Sequence, residues 1–144
     1  MTTSARGPHN AKLIANVAVL TPDRTLLVKY HEGHNDDRRW MMPDDELQTG
    51  EHPDAAAARV LTDHLGMKAR PRLAFVDSFD GSDGTWHIVF NYVADITHAP
   101  PIQPGEGVAG TGWFMLSNLP KAEDMGHHGW ATDVLSRIVS DRRN

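Results

Sequence analysis

Apolar and polar positions along the chain divide it into two periodicities. Lys12-Leu-Ile-Ala-Asn-Val-Ala-Val-Leu20 is β-rich and mostly apolar, the pattern of a strand buried on both faces. Thr21-Pro22-Asp23-Arg24 reads as a turn and Thr25 to Tyr30 as the returning strand, giving a first hairpin. Pro53 to Leu65 changes to helical spacing. Proline suits the first helical turn, Asp54 lies at the positive end of the helix dipole, and Ala55 to Ala58 favour helix. Gly66 fits the left-handed residue that ends such a helix. At 100° per residue, Val60, Asp63 and His64 share one face, beside an apolar stripe of Ala57, Leu61 and Leu65.

The pattern then returns to strands. Arg72 to Phe79 and Thr85 to Ile96 flank the turn Asp80-Gly-Ser-Asp-Gly84, a second hairpin. Trp86, Ile88, Phe90 and Tyr92 alternate with His87, Val89, Asn91 and Val93, and the aromatic set is expected to pack into the core. His87 and Asn91 then lie on the wetter face or line a cleft. Residues 97–112 read as a Pro/Gly-rich loop, followed by an apolar, strand-like Trp113 to Leu116. Trp130 to Val139 has helical spacing, with Val134, Leu135, Ile138 and Val139 apolar.

Composition narrows the class. The 144 residues suit one domain with a real core, taken as 11–144 after a loose tail at 1–10. Net charge is −5 with no dense Lys/Arg run, which argues against a nucleic acid polymer as partner. Absent cysteines remove disulfides, zinc-thiolate sites and thiol nucleophiles. No stretch has signal-peptide or membrane-spanning character, so the expectation is a cytoplasmic protein with no membrane partner.

Two stretches look like sites and fail on context. Gly105-Glu-Gly-Val-Ala-Gly110 matches the dinucleotide-binding pattern literally. That motif needs a strand before it and a helix after it, and here a proline-rich loop precedes and a strand-like run follows. His31-Glu-Gly-His34 lacks the one-turn spacing of a helical metal motif.

The stretch Pro43 to Met67 resembles the box of the Nudix hydrolase family: Gly, five residues, Glu, seven residues, Arg-Glu-aliphatic, one residue, Glu-Glu, one residue, Gly-aliphatic. Glu51, Arg59, Leu61, Gly66 and Met67 stand at the right spacing. Trp40 and Pro43 before the box, and Trp113-Phe114 with Leu119-Pro120 after it, extend the likeness over roughly residues 12–140. The resemblance implies an α/β fold, a Nudix-like α/β/α sandwich with a mixed β-sheet. It also implies hydrolysis of a nucleoside diphosphate linked to another group, with Mg²⁺ or Mn²⁺ neutralising phosphate charge.

The departures fall on the chemistry. Asp45 replaces the opening glycine, Val60 the Glu after the arginine, and Asp63-His64 the Glu-Glu pair. Carried over position by position, Glu51, Asp63 and His64 are the expected metal donors, and Arg59 orients Glu51. An imidazole shifts preference from Mg²⁺ toward Mn²⁺ or another transition metal. Lys29 and Arg39, with Arg38, are candidate phosphate contacts, or simply solvated charges. Gly107 and Gly110 stand where many members carry acidic residues, and Glu106 is one residue out of register. His127 and His128 line a pocket or lead into the last helix. Weak, altered or absent hydrolysis follows, with a non-catalytic module binding a nucleotide-like ligand as the alternative. A homodimer is one arrangement open to the chain.

Overall fold

A computed structural model describes residues 10–31, 39–81 and 84–142, the side chain of His128 excepted. His34, Arg38 and most of the tail lie outside these residues, as does the middle of the second hairpin turn. Among the described residues, no helix is long and apolar enough to cross a membrane.

The first strand, β1 (Ala11–Leu20), is central. β2 (Arg24–Tyr30) returns antiparallel from it, with Leu20 opposite Thr25. A short strand, β3 (Asp44–Glu46), adds to the first half of β1. This strand was not expected in so acidic a stretch; it forms because its backbone pairs with Ile14 to Asn16. The second hairpin is β4 (Arg72–Asp80) and β5 (Trp86–Asp95), and β5 lies parallel to β1 along its whole length. The last strand, β6 (Val108–Met115), pairs antiparallel with β2. The order is β4-β5-β1-β2-β6, a mixed sheet.

β6 starts five residues before the expected apolar run. Its glycines read as loop by composition, yet they oppose β2, Gly110 facing Lys29 and Gly112 facing Leu27. At Gly112 a Cβ would come within 3.1 Å of Phe114 and 3.3 Å of Trp40, so glycine lets these two aromatic rings close over the strand.

One helix covers each face. The box helix, α1 (Pro53–Arg59), is capped by the His52 ring, which accepts from the Asp54 amide at 3.0 Å. It packs Ala56 and Ala57, joined by Leu61 and Leu65 from the chain just after it, against Ala15, Val17, Leu26, Val28 and Tyr92. The last helix, α2 (Trp130–Arg142), packs Val134, Leu135 and Ile138 against Ala18, Leu20, Leu27 and Val93 on the opposite face. From Ala15 to Leu20 β1 is buried on both sides, as its apolar run predicts, whereas Leu13 in its first half is exposed.

The aromatic set of β5 does not pack as one unit. Tyr92 is 1% exposed and Trp86 is 41% exposed, because α1 covers only the far end of that face. Of the two residues expected on the wetter face or in a cleft, Asn91 is buried and His87 half-buried.

Candidate active site

The box helix does not run regularly to Leu65. Past Arg59 it widens into a π turn over Val60–His64, a distortion that often marks functional positions. The three residues expected to share a face, Val60, Asp63 and His64, do not share an environment. Val60 is fully buried in the core, Asp63 is exposed, and His64 is half-buried.

Arg59 organises the site. Its Nε donates to Glu51 Oε2 at 2.9 Å and its Nη2 to Glu51 Oε1 at 3.0 Å, a two-bond fork. Nη2 also reaches the Glu46 carbonyl at 3.0 Å, and Nη1 donates to Asp45 Oδ2 at 2.9 Å. One guanidinium thus ties together β3, the Gly50 loop and the helix. Hydrogen bonds from Arg59, above all, hold the Glu51 carboxyl below its ordinary value. The Glu51 carboxylate in turn raises Arg59.

Asp45 has a second partner. His64 Nε2 lies 3.4 Å from Asp45 Oδ2, and His64 Nδ1 lies 2.8 Å from the Tyr30 hydroxyl. The hydrogen bond to His64, with help from Arg59 and against some burial, lowers the Asp45 carboxyl to about 2. Asp45, His64 and Tyr30 have the order of an orienting acid, a base and a nucleophile. Tyr30 is only 5% exposed, however, and burial raises its phenol well above the ordinary value. It therefore acts as a post for the imidazole, not as a nucleophile.

The loop before β6 is fastened to this end of the helix. Gln103 N donates to the Leu65 carbonyl and Gly105 N to the His64 carbonyl, each at 3.0 Å. A Cβ at Gly105 would stand 2.0 Å from the Asp63 carbonyl oxygen, so only glycine allows the contact. Glu106 follows directly and is exposed.

The expected site residues are therefore only partly brought together. Glu51 and Arg59 are in contact, Asp63 is exposed, and His64 turns toward Asp45 and Tyr30. Among the described residues, no three His, Asp or Glu side chains form a group that could hold a metal ion. As folded, the donors do not fit a divalent ion: Glu51 and Asp45 are paired with Arg59, and both nitrogens of His64 face partners. Lys29 places its ammonium 4.6 Å from the centre of the Trp40 ring, a cation–π contact, and Arg39 is exposed beside it.

A second polar group lies on the opposite face of the sheet. Asn16 Nδ2 donates to Asn91 Oδ1 at 2.9 Å, and Asn91 Nδ2 donates to Asp77 Oδ2 at 3.3 Å. Asp77 can only accept, so both amides are oriented and Asn16 Oδ1 is left buried without a partner. Phe79 stacks on His87 with ring centres 5.2 Å apart and tilts toward Trp130 at 6.3 Å. Asn16 was hidden in the sequence within an apolar strand, and a lone amide in such a run was the signal for it. His127, in the short turn before the last helix, takes a left-handed conformation with φ 53°.

A mixed sheet between two helices, with an Arg–Glu fork closing a Gly-containing loop onto one of them, defines a Nudix-type α/β fold. The chain belongs to the NUDIX domain family, which matches residues 11–134. Its structure is similar to the MutT NUDIX hydrolase from Burkholderia pseudomallei, at 22% identity and a TM-score of 0.72, covering 88% of this chain and 95% of that one. It is also similar to a NUDIX hydrolase from Nitrosomonas europaea, at 16% identity and a TM-score of 0.75, covering 92% and 90%. An Ap4A hydrolase from C. elegans gives 14% identity and a TM-score of 0.70, covering 92% and 98%. At these identities the likeness speaks for the fold. Comparison with curated proteins gave no match.

Proposed function

We propose that this chain is a Nudix-type hydrolase acting on a nucleoside diphosphate linked to another group, with a rebuilt and weakened divalent-metal site. The observation that carries the reading is the Arg59 fork on Glu51. It holds the box loop on the box helix although four other box positions, 45, 60, 63 and 64, have changed. In this reading Glu51, Asp63 and His64 are the donors for Mg²⁺, Mn²⁺ or, through the imidazole, another transition ion. Binding requires Glu51 to exchange Arg59 for the ion and His64 to leave its partners, which is why the site is weak. Lys29 and Arg39, which both border Trp40, serve the ligand's phosphates.

The substitutions at 60 and 64 remove two carboxylates from the box and that at 63 shortens a third, and loss of one positioned base alone slows catalysis by about 10²–10⁴. The test is hydrolysis of a panel of nucleoside diphosphate derivatives with Mg²⁺, Mn²⁺ and Zn²⁺, beside a Glu51→Gln protein. Slow turnover that disappears in the variant supports the reading. Equal turnover in both proteins overturns it.

A second reading is a non-catalytic module that binds a nucleotide-like ligand. Val60 favours it: a box carboxylate position is now part of the hydrophobic core. Calorimetry that detects nucleotide binding in a protein without turnover selects this reading.

A further inference from the structure

We propose that Asp45 locks His64 away from metal ions, fixing the ring hydrogen on Nε2 so that the box closes on its own charges. The inference rests on the reading of the box as the place where an ion would bind. It concerns a residue that the box pattern does not call for, since glycine is the expected residue at position 45.

A neutral ring has one N–H and one lone pair, and only the lone pair can bind a metal. His64 Nε2 faces the Asp45 carboxylate at 3.4 Å. A carboxylate is purely an acceptor, so a lone pair there would be repelled, and the hydrogen belongs on Nε2. Nδ1 is then the acceptor for the Tyr30 hydroxyl at 2.8 Å, a shorter contact than the 3.2 Å to the competing Asp44 carbonyl. Neither nitrogen is left open. Tyr30 is itself held, because the Asp44 amide donates to its oxygen at 3.1 Å. The ring is wedged edge-on to Tyr30, with centres 5.4 Å apart.

Asp45 thus acts as a positioning residue. Its carboxylate joins His64 to the Arg59 guanidinium, so the imidazole, Asp45, Arg59 and Glu51 form one continuous chain of charge and hydrogen bonds. Removing Asp45 leaves Arg59 anchored by its bonds to Glu51 and the Glu46 carbonyl. It releases Nε2, lets the hydrogen move to Nδ1, and opens the lone pair. The sign is diagnostic. Deleting a carboxylate would ordinarily weaken cation binding, whereas deleting a lock strengthens it.

The experiment is Mn²⁺ titration by calorimetry on the full chain as wild type, Asp45→Gly and Asp45→Gly/His64→Ala. The expected result is a Kd lower in Asp45→Gly by about 10- to 100-fold, the range commanded by groups that orient a ligating histidine. The double variant should lose the gain. An unchanged or weaker Kd in Asp45→Gly, or a gain that survives His64→Ala, overturns the proposal. A readout on the unaltered protein guards against a misfolded variant: long-range ¹⁵N–¹H spectra should show the His64 hydrogen on Nε2, and a hydrogen on Nδ1 alone overturns the lock. The failures are separable. If only the lock is wrong, Kd is equal in the two proteins while turnover persists; if the hydrolase reading is wrong, turnover is absent in both whatever the Kd.

Discussion

The phenol of Tyr92 donates a hydrogen bond to the carboxylate of Asp54, joining the middle of β5 to the first turn of the box helix across 38 residues. Tyr92 is buried, and burial together with the Asp54 carboxylate raises its phenol above the ordinary value, so it remains a donor. Its ring packs in the same core as Ala57 and Leu61. Tyr92→Phe keeps the packing and removes only the bond. Stability should fall by about 1.5 kcal/mol, the low end for a bond to a charged acceptor because Asp54 is exposed. A urea midpoint equal to wild type would show that the bond does not anchor the helix.

The Arg59 fork predicts that charge alone is insufficient at this position. Lysine keeps the charge and loses the planar pair of donors. Arg59→Lys should therefore lower the melting temperature, and Arg59→Ala should lower it further, by about 5 °C or more, since Glu51, Asp45 and the Glu46 carbonyl all lose a partner. Thermal unfolding of the three proteins without added metal measures this. A lysine variant as stable as wild type would reduce the fork to a simple surface ion pair.

Asp45 gives the fold a pH dependence of known sign. Its carboxyl is lowered from 3.8 to about 2 in the folded chain. The folded state therefore binds fewer protons between those values, and stability rises with pH there. The contribution is complete above about pH 4 and disappears as pH falls toward 2. Urea midpoints for wild type and Asp45→Asn, with chelator present, should differ most at pH 5 and converge near pH 2. Because the Asp45 side chain is 39% exposed, added salt should narrow the gap. A gap that widens in acid would contradict the assignment.

Much of the fold was legible because it rests on local periodicity. The buried run of β1, the proline start and glycine stop of the box helix, and the two hairpins all follow from residues within one element. The glycines of β6 were not legible, because pairing with β2 outweighs their composition. Nor was β3, an acidic stretch made a strand by the edge of β1. At the site, Glu51 and Arg59 were legible from their spacing. The role of Asp45 was not, because it depends on His64 and Tyr30, which the chain brings together from positions 19 and 15 residues away. Nor were the π turn and the burial of Val60 within it legible, because a face shared with Asp63 and His64 places that side chain at the site and not in the core.

That turn decides the fate of an obvious repair. Restoring the box pattern by Val60→Glu seems to return a metal ligand. Here, however, residue 60 is fully buried among Ala15, Leu26, Val28 and Leu61. A carboxylate at that point has no cation to meet: the neighbouring guanidinium is already forked on Glu51. It must either stay protonated, with its pKa raised by burial, or force the turn to rewind. The expected cost is about 3 kcal/mol of stability, as for other polar groups buried without a partner. Chemical denaturation with and without Mn²⁺ separates the two accounts. A variant that unfolds earlier, with no rescue by Mn²⁺, places residue 60 in the core. A variant as stable as wild type, and further stabilised by Mn²⁺, would mean that the π turn rewinds readily and that position 60 still belongs to the site.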